Sequence, residues 1–512
     1  MRLYFLLLFA LCNNCIFAQT FTTPKFITDS LDAYVTQALT DWDIPGAAVC
    51  VVKDGKVIVM KGYGVKEKGG NDAVDENTLF LIGSNTKAFT GTALAKLEAQ
   101  KRLSLDDKVQ KWMPDFKLRD EWMGKNIMIK DLLSHRLGFE TFQGDFTYWT
   151  SNLTRQQIIA KMAKVKPLYA FRDQWGYCNA AFLTAGEIIP KVTGRSWEDY
   201  MRDSIFKPLG MNHTLALAAE MPNAPNTAKP HTLSREFETI KLNFPMIDNL
   251  APAASIGSSV NDMSKWVMML LNNGKVDGKT MIPASAIQKT RTPYSVLSKR
   301  GAYRFNKSHY QLYGLGWFLG EYNGREIVSH TGGVNGFVTS VTLVPEENLG
   351  IVVLTNTDQN SLFMGLNNEL LDVCMGLPSR NYSKLLLNSF VNGQKNEKEW
   401  VKQMADSIES HQPAIIPFAQ YAGKYQNELY GEINIVLKNN HLTMYFQNHP
   451  NMTAELDWLG NHRFLCTYSD VTVGRKIIPF TVKNGKAAGF TLTVADFLEF
   501  TPYEFTRKQP GK

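Results

Sequence analysis

The order of strand and helix patterns along the chain restricts the possible folds more than any other feature of the sequence. Residues 47–60 form two apolar runs around an Asp-Gly pair, which favours a β-hairpin. Strand patterns return at 338–344 and 350–355, whereas residues 84–317 are dominated by apolar side chains at helical spacing. Strands on both sides of a long helical insertion predict one sheet assembled from both ends of the region, and hence an α+β fold with a helical subdomain.

The last part of the chain has a different pattern. Residues 381–411 are polar and rich in Lys and Glu, and they predict a linker helix. From residue 412 onward apolar and polar residues alternate, and Asn-Asn and Asn-Gly pairs interrupt the runs 433–446 and 477–494 as hairpin turns do. Residues 412–512 therefore predict a separate, small all-β domain, either a barrel or a sandwich.

The first residues have the pattern of a secretory signal peptide. Arg2 supplies a positive charge, residues 3–11 are apolar, and the Ile-Phe-Ala sequence at 16–18 resembles a cleavage site. We therefore expect a signal peptide at 1–18, a main domain at 19–380, and a mature protein that is exported to the periplasm or secreted. No later run approaches the roughly 20 apolar residues of a transmembrane helix, so the sequence predicts no membrane span.

Composition argues against several classes of function. The net charge of +7 is spread over 512 residues without a run of Lys and Arg, so no nucleic-acid partner is expected. The cysteines that follow the signal, Cys50, Cys178, Cys374 and Cys466, are far apart and predict buried free thiols rather than a disulfide framework. The nine histidines form no HExxH or similar pattern, and no nucleotide-binding motif occurs, so we expect no metal and no cofactor.

The first candidate for chemistry is the sequence GSNTK at 83–87, which starts a run of helical spacing and places Ser84 at a helix N-terminus. Residues three apart share a helix face, which brings the Lys87 amine close to the Ser84 hydroxyl. A serine becomes a strong nucleophile when a neighbouring base takes its proton, and lysine is such a base when burial keeps it partly neutral. Ser204 and Lys207 have the same spacing, with a proline directly after the lysine. A helix-capping serine and a solvated lysine would explain either match.

The second candidate is a Tyr-x-Asn pattern at Tyr177 and Asn179. A tyrosine held near a lysine can shuttle a proton, and an asparagine can donate a hydrogen bond to a substrate amide carbonyl. Tyr425 and Asn427 repeat the pattern in the β-rich region, so it is weak evidence when taken alone. A tyrosine packed at the edge of a core is the alternative explanation of each match.

The third candidate is His330-Thr331-Gly332-Gly333, the only His-Thr-Gly sequence in the chain, just before the strand pattern from Val338. Two glycines after a polar pair would allow a substrate backbone to approach closely, as an added edge strand does. A plain β-turn with a surface histidine is the alternative.

The three patterns occur in the order that penicillin-recognising serine hydrolases have. The chain resembles their class C β-lactamase, D-alanyl-D-alanine carboxypeptidase and serine esterase family. Residues 132–139 (LLSHRLGF) are similar to the family's LLxHxSG segment, and 206–211 (FKPLGM) match its FxPLGM segment. The resemblance covers about 29–376 and implies a β-lactamase/transpeptidase-like α/β sandwich with an antiparallel sheet. The region after residue 412 resembles the small β domain often appended to these hydrolases.

The resemblance also implies a covalent mechanism that needs no cofactor. Ser84 would be acylated, and Lys87 and Tyr177 would share the roles of base and acid. The residues that would contact substrate are Asn179, His330, Thr331 and Gly333. The oxyanion hole would consist of the backbone N–H groups of Ser84 and Gly333.

Two positions depart from the family pattern. β-Lactamases and carboxypeptidases usually have lysine where this chain has His330, and histidine is largely neutral above its ordinary pKa of about 6.5. Recognition of a substrate carboxylate, and with it strong β-lactam or D-Ala-D-Ala binding, is therefore disfavoured. Arg136 and Leu137 stand where small hydroxylated residues are usual, and the sequence alone offers no physical account of them.

The sequence leaves two functions open. One is an exported serine hydrolase that acts through an acyl-enzyme on esters, amides or D-amino-acid-containing peptides, with true β-lactamase activity disfavoured. The other is a catalytically silent penicillin-binding-like protein that recognises peptidoglycan fragments, which the appended β domain motivates. The expected partner is a small-molecule or peptide substrate, including peptidoglycan-derived ones. The partner of the C-terminal domain is unknown from the sequence, and restriction of access to the site and binding of a partner are both open roles for it.

Overall fold

The computed structural model describes residues 21–299, 308–410 and 412–509. The predicted signal peptide at 1–18 lies outside the described residues. Within them the chain folds into a large α+β domain, a long helix and a smaller all-β domain. No described helix has both the length and the apolar character that crossing a bilayer requires.

In the described residues, eight strands form one antiparallel sheet at the centre of the large domain. They are β1 (Gly46–Lys53), β2 (Lys56–Gly64), β3 (Ser295–Lys299), β4 (Tyr310–Tyr313), β5 (Phe318–Tyr322), β6 (Arg325–Val334), β7 (Phe337–Val344) and β8 (Leu349–Thr355). Across the sheet the order is β2-β1-β8-β7-β6-β5-β4-β3. Because β1 pairs with β8, with Ala47 opposite Thr355, the predicted sheet assembled from both ends of the domain is confirmed.

Helices cover both faces of this sheet. The α-helices of the described residues are α1 (Leu31–Asp41), α2 (Thr86–Ala99), α3 (Val109–Trp112), α4 (Glu121–Asn126), α5 (Ile129–Leu133), α6 (Asp145–Tyr148), α7 (Arg155–Lys161), α8 (Asn179–Gly186), α9 (Ile188–Thr193), α10 (Trp197–Met201), α11 (Ala251–Ala254), α12 (Val260–Leu271), α13 (Ala284–Thr290), α14 (Leu362–Cys374) and α15 (Tyr382–Glu409). The last of these lies in the segment for which the sequence predicts a linker helix.

Every residue of β1 is buried, because alternate side chains point to opposite faces and both faces are covered. Val49 and Val51 pack with α1 and α14, whereas Cys50 and Val52 pack with α2 and α12. Each fully buried valine stabilises the fold by roughly 1.5–3 kcal/mol relative to an exposed one. The strand therefore anchors two apolar layers.

Helix α2 lies in the middle of the large domain, and almost all of its side chains are buried. A Cβ at Gly91 would lie 2.1 Å from the carbonyl oxygen of Leu315, so only glycine permits this close approach. Phe89 stacks on Trp266 with ring centroids 4.0 Å apart. This packing fixes the first turn of the helix, where Lys87 lies.

The C-terminal domain is a closed barrel, which decides between the two predicted alternatives. Its strands are β9 (Gly423–Asn427), β10 (Gly431–Lys438), β11 (His441–Phe446), β12 (His449–Trp458), β13 (Arg463–Tyr468), β14 (Arg475–Lys483), β15 (Lys486–Leu492) and β16 (Tyr503–Arg507). Asn484 and Gly485 both have positive φ, as the predicted tight turn between β14 and β15 requires. Buried aromatic side chains, including Tyr425, Phe480 and Phe490, fill the interior.

The short helix α6 connects the two domains. Phe146 belongs to the large domain but inserts between barrel side chains, with its ring stacked on those of Tyr430 and His449 at 5.2 Å from each. His449 Nε2 also hydrogen-bonds the carbonyl oxygen of Trp149 at 3.0 Å. These contacts are buried, so α6 packs against the barrel as well as against its own domain.

Candidate active site

Ser84 lies in a 3₁₀ turn, Gly83–Asn85, that runs directly into α2. Gly83 has a φ of +53°, and a Cβ there would lie 2.9 Å from the backbone nitrogen of Gly333 on β6. Glycine is therefore required for the turn to approach the strand. The first N–H groups of a helix have no acceptor within the helix, so this position suits an anionic oxygen.

Lys87 is fully buried, and its amine has three oxygen neighbours. Nζ donates to Asn179 Oδ1 at 2.7 Å and to the Ala253 carbonyl at 3.0 Å, and it lies 3.1 Å from Ser84 Oγ. Because the first two oxygens only accept, a neutral amine aims its lone pair at the serine hydroxyl. Burial lowers the pKa of Lys87 to about 7, so the neutral base is well populated at neutral pH.

Tyr177 completes this cluster. Its hydroxyl is near the Ser84 side chain and both residues line the same cavity, and its ring lies 4.6 Å from Lys87 Nζ. Burial raises the pKa of Tyr177 far above its usual range, so the side chain is a neutral phenol, the form that the predicted proton relay requires. The His135 ring packs on it at 4.4 Å, and His135 Nδ1 accepts the backbone N–H of Cys178, which fixes the tyrosine in place.

Asn179 holds two buried ionisable groups together. Its Oδ1 accepts from Lys87, and its Nδ2 donates to Asp145 Oδ2 at 2.6 Å. One amide hydrogen is left for a substrate, so the predicted role in substrate binding is joined by a role in positioning the lysine. Burial raises the pKa of Asp145 to about 7, whereas the Asn179 hydrogen bond and the Lys87 charge act in the opposite direction.

His330 is a buried residue of β6 and not a surface residue in a turn. Its Nδ1 lies 2.6 Å from the Thr331 carbonyl oxygen, which only accepts, so Nδ1 carries the hydrogen. Nε2 then accepts from the Tyr313 hydroxyl at 3.0 Å. Burial and the nearby Lys87 lower the pKa of His330 to about 3, so this side chain is neutral and gives no cation for a substrate carboxylate.

The two glycines after His330 have different environments. A Cβ at Gly332 would lie 1.8 Å from the Ile82 carbonyl oxygen, so this glycine serves packing and not substrate approach. Gly333 faces the pocket next to the exposed Thr331. In the described residues the pairing of β5 with β6 ends at Ser329, which leaves the following stretch of β6 paired only with β7. That stretch has the free edge to which an extended substrate can add.

A cavity of about 240 Å³ opens at Ser84 and is lined by Asn179, His330, Thr331 and Gly333 as well as Tyr177. Its aromatic walls are Phe142, Trp149, Trp175, Tyr177, Phe318 and Phe497. The described lining residues include no lysine or arginine. In the part of the chain that the structure describes, no group of three or more His, Cys, Asp and Glu side chains is arranged to hold a metal ion.

Sequence analysis missed several residues of this cavity. Asp145, Trp149 and Phe497 belong to no motif, and Phe497 is more than 400 residues from Ser84 along the chain. The spacing of apolar residues cannot identify them, because they meet the site only through the packing of the two domains. An acidic residue among the aromatic residues at 142–149 is the one signal that the sequence offers.

Arg136, which departs from the family pattern, belongs to an ion-pair cluster behind the site. It donates to Asp131 Oδ1 at 2.7 Å and to the Tyr294 carbonyl oxygen at 3.1 Å, and Arg172 donates to both oxygens of the same aspartate. Asp131 is fully buried, so removing either arginine would leave a poorly compensated charge. The departure is therefore explained by structure and not by a contact with substrate.

Comparisons with known proteins identify the family. Residues 31–373 match the model of the Beta-lactamase family, and residues 409–507 match a domain of unknown function, DUF3471. The chain is 29% identical over 436 residues to the unguisins hydrolase ungD' of Aspergillus campestris, covering 78% of this chain and 76% of that protein. It is 30% identical over 336 residues to protein flp of Staphylococcus aureus strain MRSA252, covering 64% of this chain and 62% of that protein.

Two solved structures share the fold. The octameric penicillin-binding protein homologue from Pyrococcus abyssi is 21% identical, with a TM-score of 0.61 over 93% of this chain and 99% of that chain. A D-stereospecific amidohydrolase from Streptomyces sp. is 23% identical, with a TM-score of 0.51 over 64% of this chain and 94% of that chain. Because the family match spans most of the large domain, this chain belongs to the Beta-lactamase family and is a serine hydrolase of the acyl-transfer type.

Proposed function

We propose that this chain is an exported hydrolase that acylates Ser84 and cleaves uncharged esters, amides or D-amino-acid-containing peptides. The observation that carries the proposal is the buried Lys87 amine, 3.1 Å from the Ser84 hydroxyl, with a pKa lowered to about 7. A lysine in this state is a base at neutral pH, and the serine next to it is the group that loses a proton.

The reaction follows from these contacts. Neutral Lys87 takes the hydroxyl proton while Ser84 Oγ bonds to the substrate carbonyl carbon, and the carbonyl oxygen becomes an oxyanion beside the N–H groups of Ser84 and Gly333. The bond to the leaving group then breaks, and Tyr177 relays the proton from the lysine ammonium to that group. In the second half a water molecule gives its proton to Lys87 and attacks the acyl carbon, and the Oγ–carbon bond breaks as the proton returns to Oγ.

The neutral state of His330 supports the proposal that the substrates are uncharged. A β-lactam carboxylate placed near it would lose its water without gaining a cation, which is unfavourable in a buried cavity. In this proposal β-lactams are therefore poorer substrates than esters or amides. The name of the Aspergillus relative, an unguisins hydrolase, fits hydrolysis as the outcome.

The test is intact-mass spectrometry after incubation with a fluorophosphonate. We expect one adduct on the wild-type protein, none on Ser84→Ala, and one on Ser204→Ala, which changes the other serine of the same pattern. A well-folded wild-type protein without an adduct would contradict the proposal. It would favour a silent protein that recognises peptidoglycan fragments, and binding of such fragments would then be measured.

Export has its own test. N-terminal sequencing of the protein recovered from the periplasm or the medium of expressing bacteria should give Gln19 as the first residue, since cleavage is predicted after residue 18. Retention of residue 1 on cytoplasmic protein would contradict export without affecting the chemistry.

A further inference from the structure

The barrel contributes directly to the cavity at Ser84. The segment between β15 and β16, residues 493–502 and here called the barrel loop, places Phe497 and Leu498 in the cavity wall. A Cβ at Gly333 would lie 3.2 Å from Phe497 Cε2, so the phenylalanine ring packs against the candidate oxyanion strand. The ring also meets Trp149 edge to face, with centroids 6.3 Å apart.

The barrel loop is fixed to the large domain by buried hydrogen bonds. Glu499 accepts from the backbone N–H groups of Gly144 at 2.7 Å and Phe146 at 3.0 Å, and from the Tyr503 hydroxyl at 2.7 Å. Thr501 donates to Glu140 Oε2 at 2.8 Å. The Gly144 and Phe146 groups lie on either side of Asp145, which contacts Asn179, so one short segment is shared by the barrel and the catalytic cluster.

Two rings of the barrel loop are nevertheless exposed. Phe497 is 41% exposed and Phe500 is 51% exposed, and Phe500 stacks on Phe142 of the cavity wall at 5.8 Å. Adjacent exposed apolar rings at the rim of a cavity indicate a surface that a ligand covers. His330 is neutral and the described lining holds no lysine or arginine, so the ligand group that suits this surface is apolar and uncharged.

We propose that the barrel completes the substrate site and that Phe497 selects substrates with an apolar, preferably aromatic, group next to the scissile carbonyl. The inference rests on the proposed function, because it assigns a specificity to the same acylation at Ser84. The barrel is then part of the enzyme's recognition surface and not only an appended domain.

The experiment compares ester pairs on wild-type protein and on Phe497→Ala. The acyl side is tested with p-nitrophenyl 3-phenylpropanoate and p-nitrophenyl acetate, and the leaving-group side with benzyl and methyl acetate. We expect the ratio of kcat/KM for the aromatic member of one pair to kcat/KM for its small member to fall about tenfold in the variant. Phe497→Leu, which keeps an apolar side chain, should lose less of the preference for the aromatic ester.

Tyr445→Ala is the matched control, because Tyr445 is a 49% exposed aromatic residue of β11 that does not line this cavity. Its ester preferences should equal those of the wild type. Fluorophosphonate labelling is measured on every variant. Normal labelling of Phe497→Ala with both preferences unchanged would overturn the inference and leave the proposed function intact. Absence of labelling on the wild type would overturn both.

Discussion

Two places in this protein have the same Ser-x-x-Lys spacing and opposite surroundings. Lys87 is fully buried and its amine faces the Ser84 hydroxyl, whereas Lys207 is exposed and begins the 3₁₀ turn Lys207–Leu209, with a proline as its second residue. The backbone carbonyl of Ser204 accepts from Lys96 and takes part in helix packing. The spacing brings two groups together, but only burial makes one of them a base.

The two matches to the Tyr-x-Asn pattern also have different surroundings. Tyr177 contacts Ser84, and Asn179 bridges Lys87 and Asp145. Tyr425 instead lies inside the barrel, where its hydroxyl donates to the Tyr421 carbonyl and accepts from Arg507. Tyr177 is a candidate for catalysis, whereas Tyr425 satisfies hydrogen bonds in the core of the barrel.

Of the residues compared, the two lysines should differ most in their effect on kcat/KM. Lys87→Met removes the base and should lower kcat/KM by on the order of 10³–10⁴-fold, whereas Lys207→Met should leave it unchanged. Steady-state hydrolysis of a p-nitrophenyl ester measures both. Equal losses of kcat/KM in the two variants would show that burial does not set Lys87 apart from Lys207.

The tyrosines should separate activity from stability. Tyr177→Phe removes the proton relay and should reduce kcat by about 10²-fold with little change in the unfolding midpoint. Tyr425→Phe leaves the Tyr421 carbonyl without a partner and removes one of several hydrogen bonds of the Arg507 guanidinium, and should cost about 1–3 kcal/mol of unfolding free energy at near-normal kcat. Urea denaturation and steady-state kinetics on both variants test whether one tyrosine affects activity and the other stability. A Tyr177→Phe enzyme with normal stability and normal kcat would contradict this prediction.

The smallest effect on activity should come from the charge of Asp145, which influences Lys87. Because Lys87 must be neutral to act, kcat/KM should rise with pH around a midpoint near its pKa of about 7. The Asp145 charge raises the pKa of Lys87, so Asp145→Asn should move the midpoint to lower pH. Asparagine can still accept the hydrogen bond from Asn179.

Asp203→Asn, at the exposed ion pair next to Ser204, is the control for that pH profile. It should leave the midpoint where it is in the wild type. A midpoint that moves to higher pH in Asp145→Asn, or equally in both variants, would contradict the assignment of Lys87 as the titrating group.

Strands β3 and β4 lie in a region that the sequence predicts to be helical up to residue 317, and strands β5 and β6 were not predicted. Local patterns in the sequence were sufficient for strands β1, β2, β7 and β8, for the hairpins of the barrel, and for the proximity of Ser84 and Lys87. These features depend on spacing, which a sequence displays directly. The hairpin at Asn484 and Gly485, for example, follows from residues that tolerate positive φ.

The remaining features depend on contacts between distant parts of the chain. Arg136 is explained only when Arg172 and Tyr294 are seen around it, and the buried state of His330 requires its partner Tyr313. The roles of Phe497 and Glu499 require the docking of a second domain, for which the sequence contains no local signal.

The place of Phe497 in the cavity has a consequence for how the enzyme matures. During synthesis domains generally fold from the N-terminal end, so the large domain emerges with Ser84, Lys87 and Tyr177 long before the ribosome reaches residue 497. A chain at that stage has a nucleophile and its base but lacks one wall of the cavity. If Phe497 selects substrates as proposed, the enzyme acquires this selectivity only when the last strands of the barrel close.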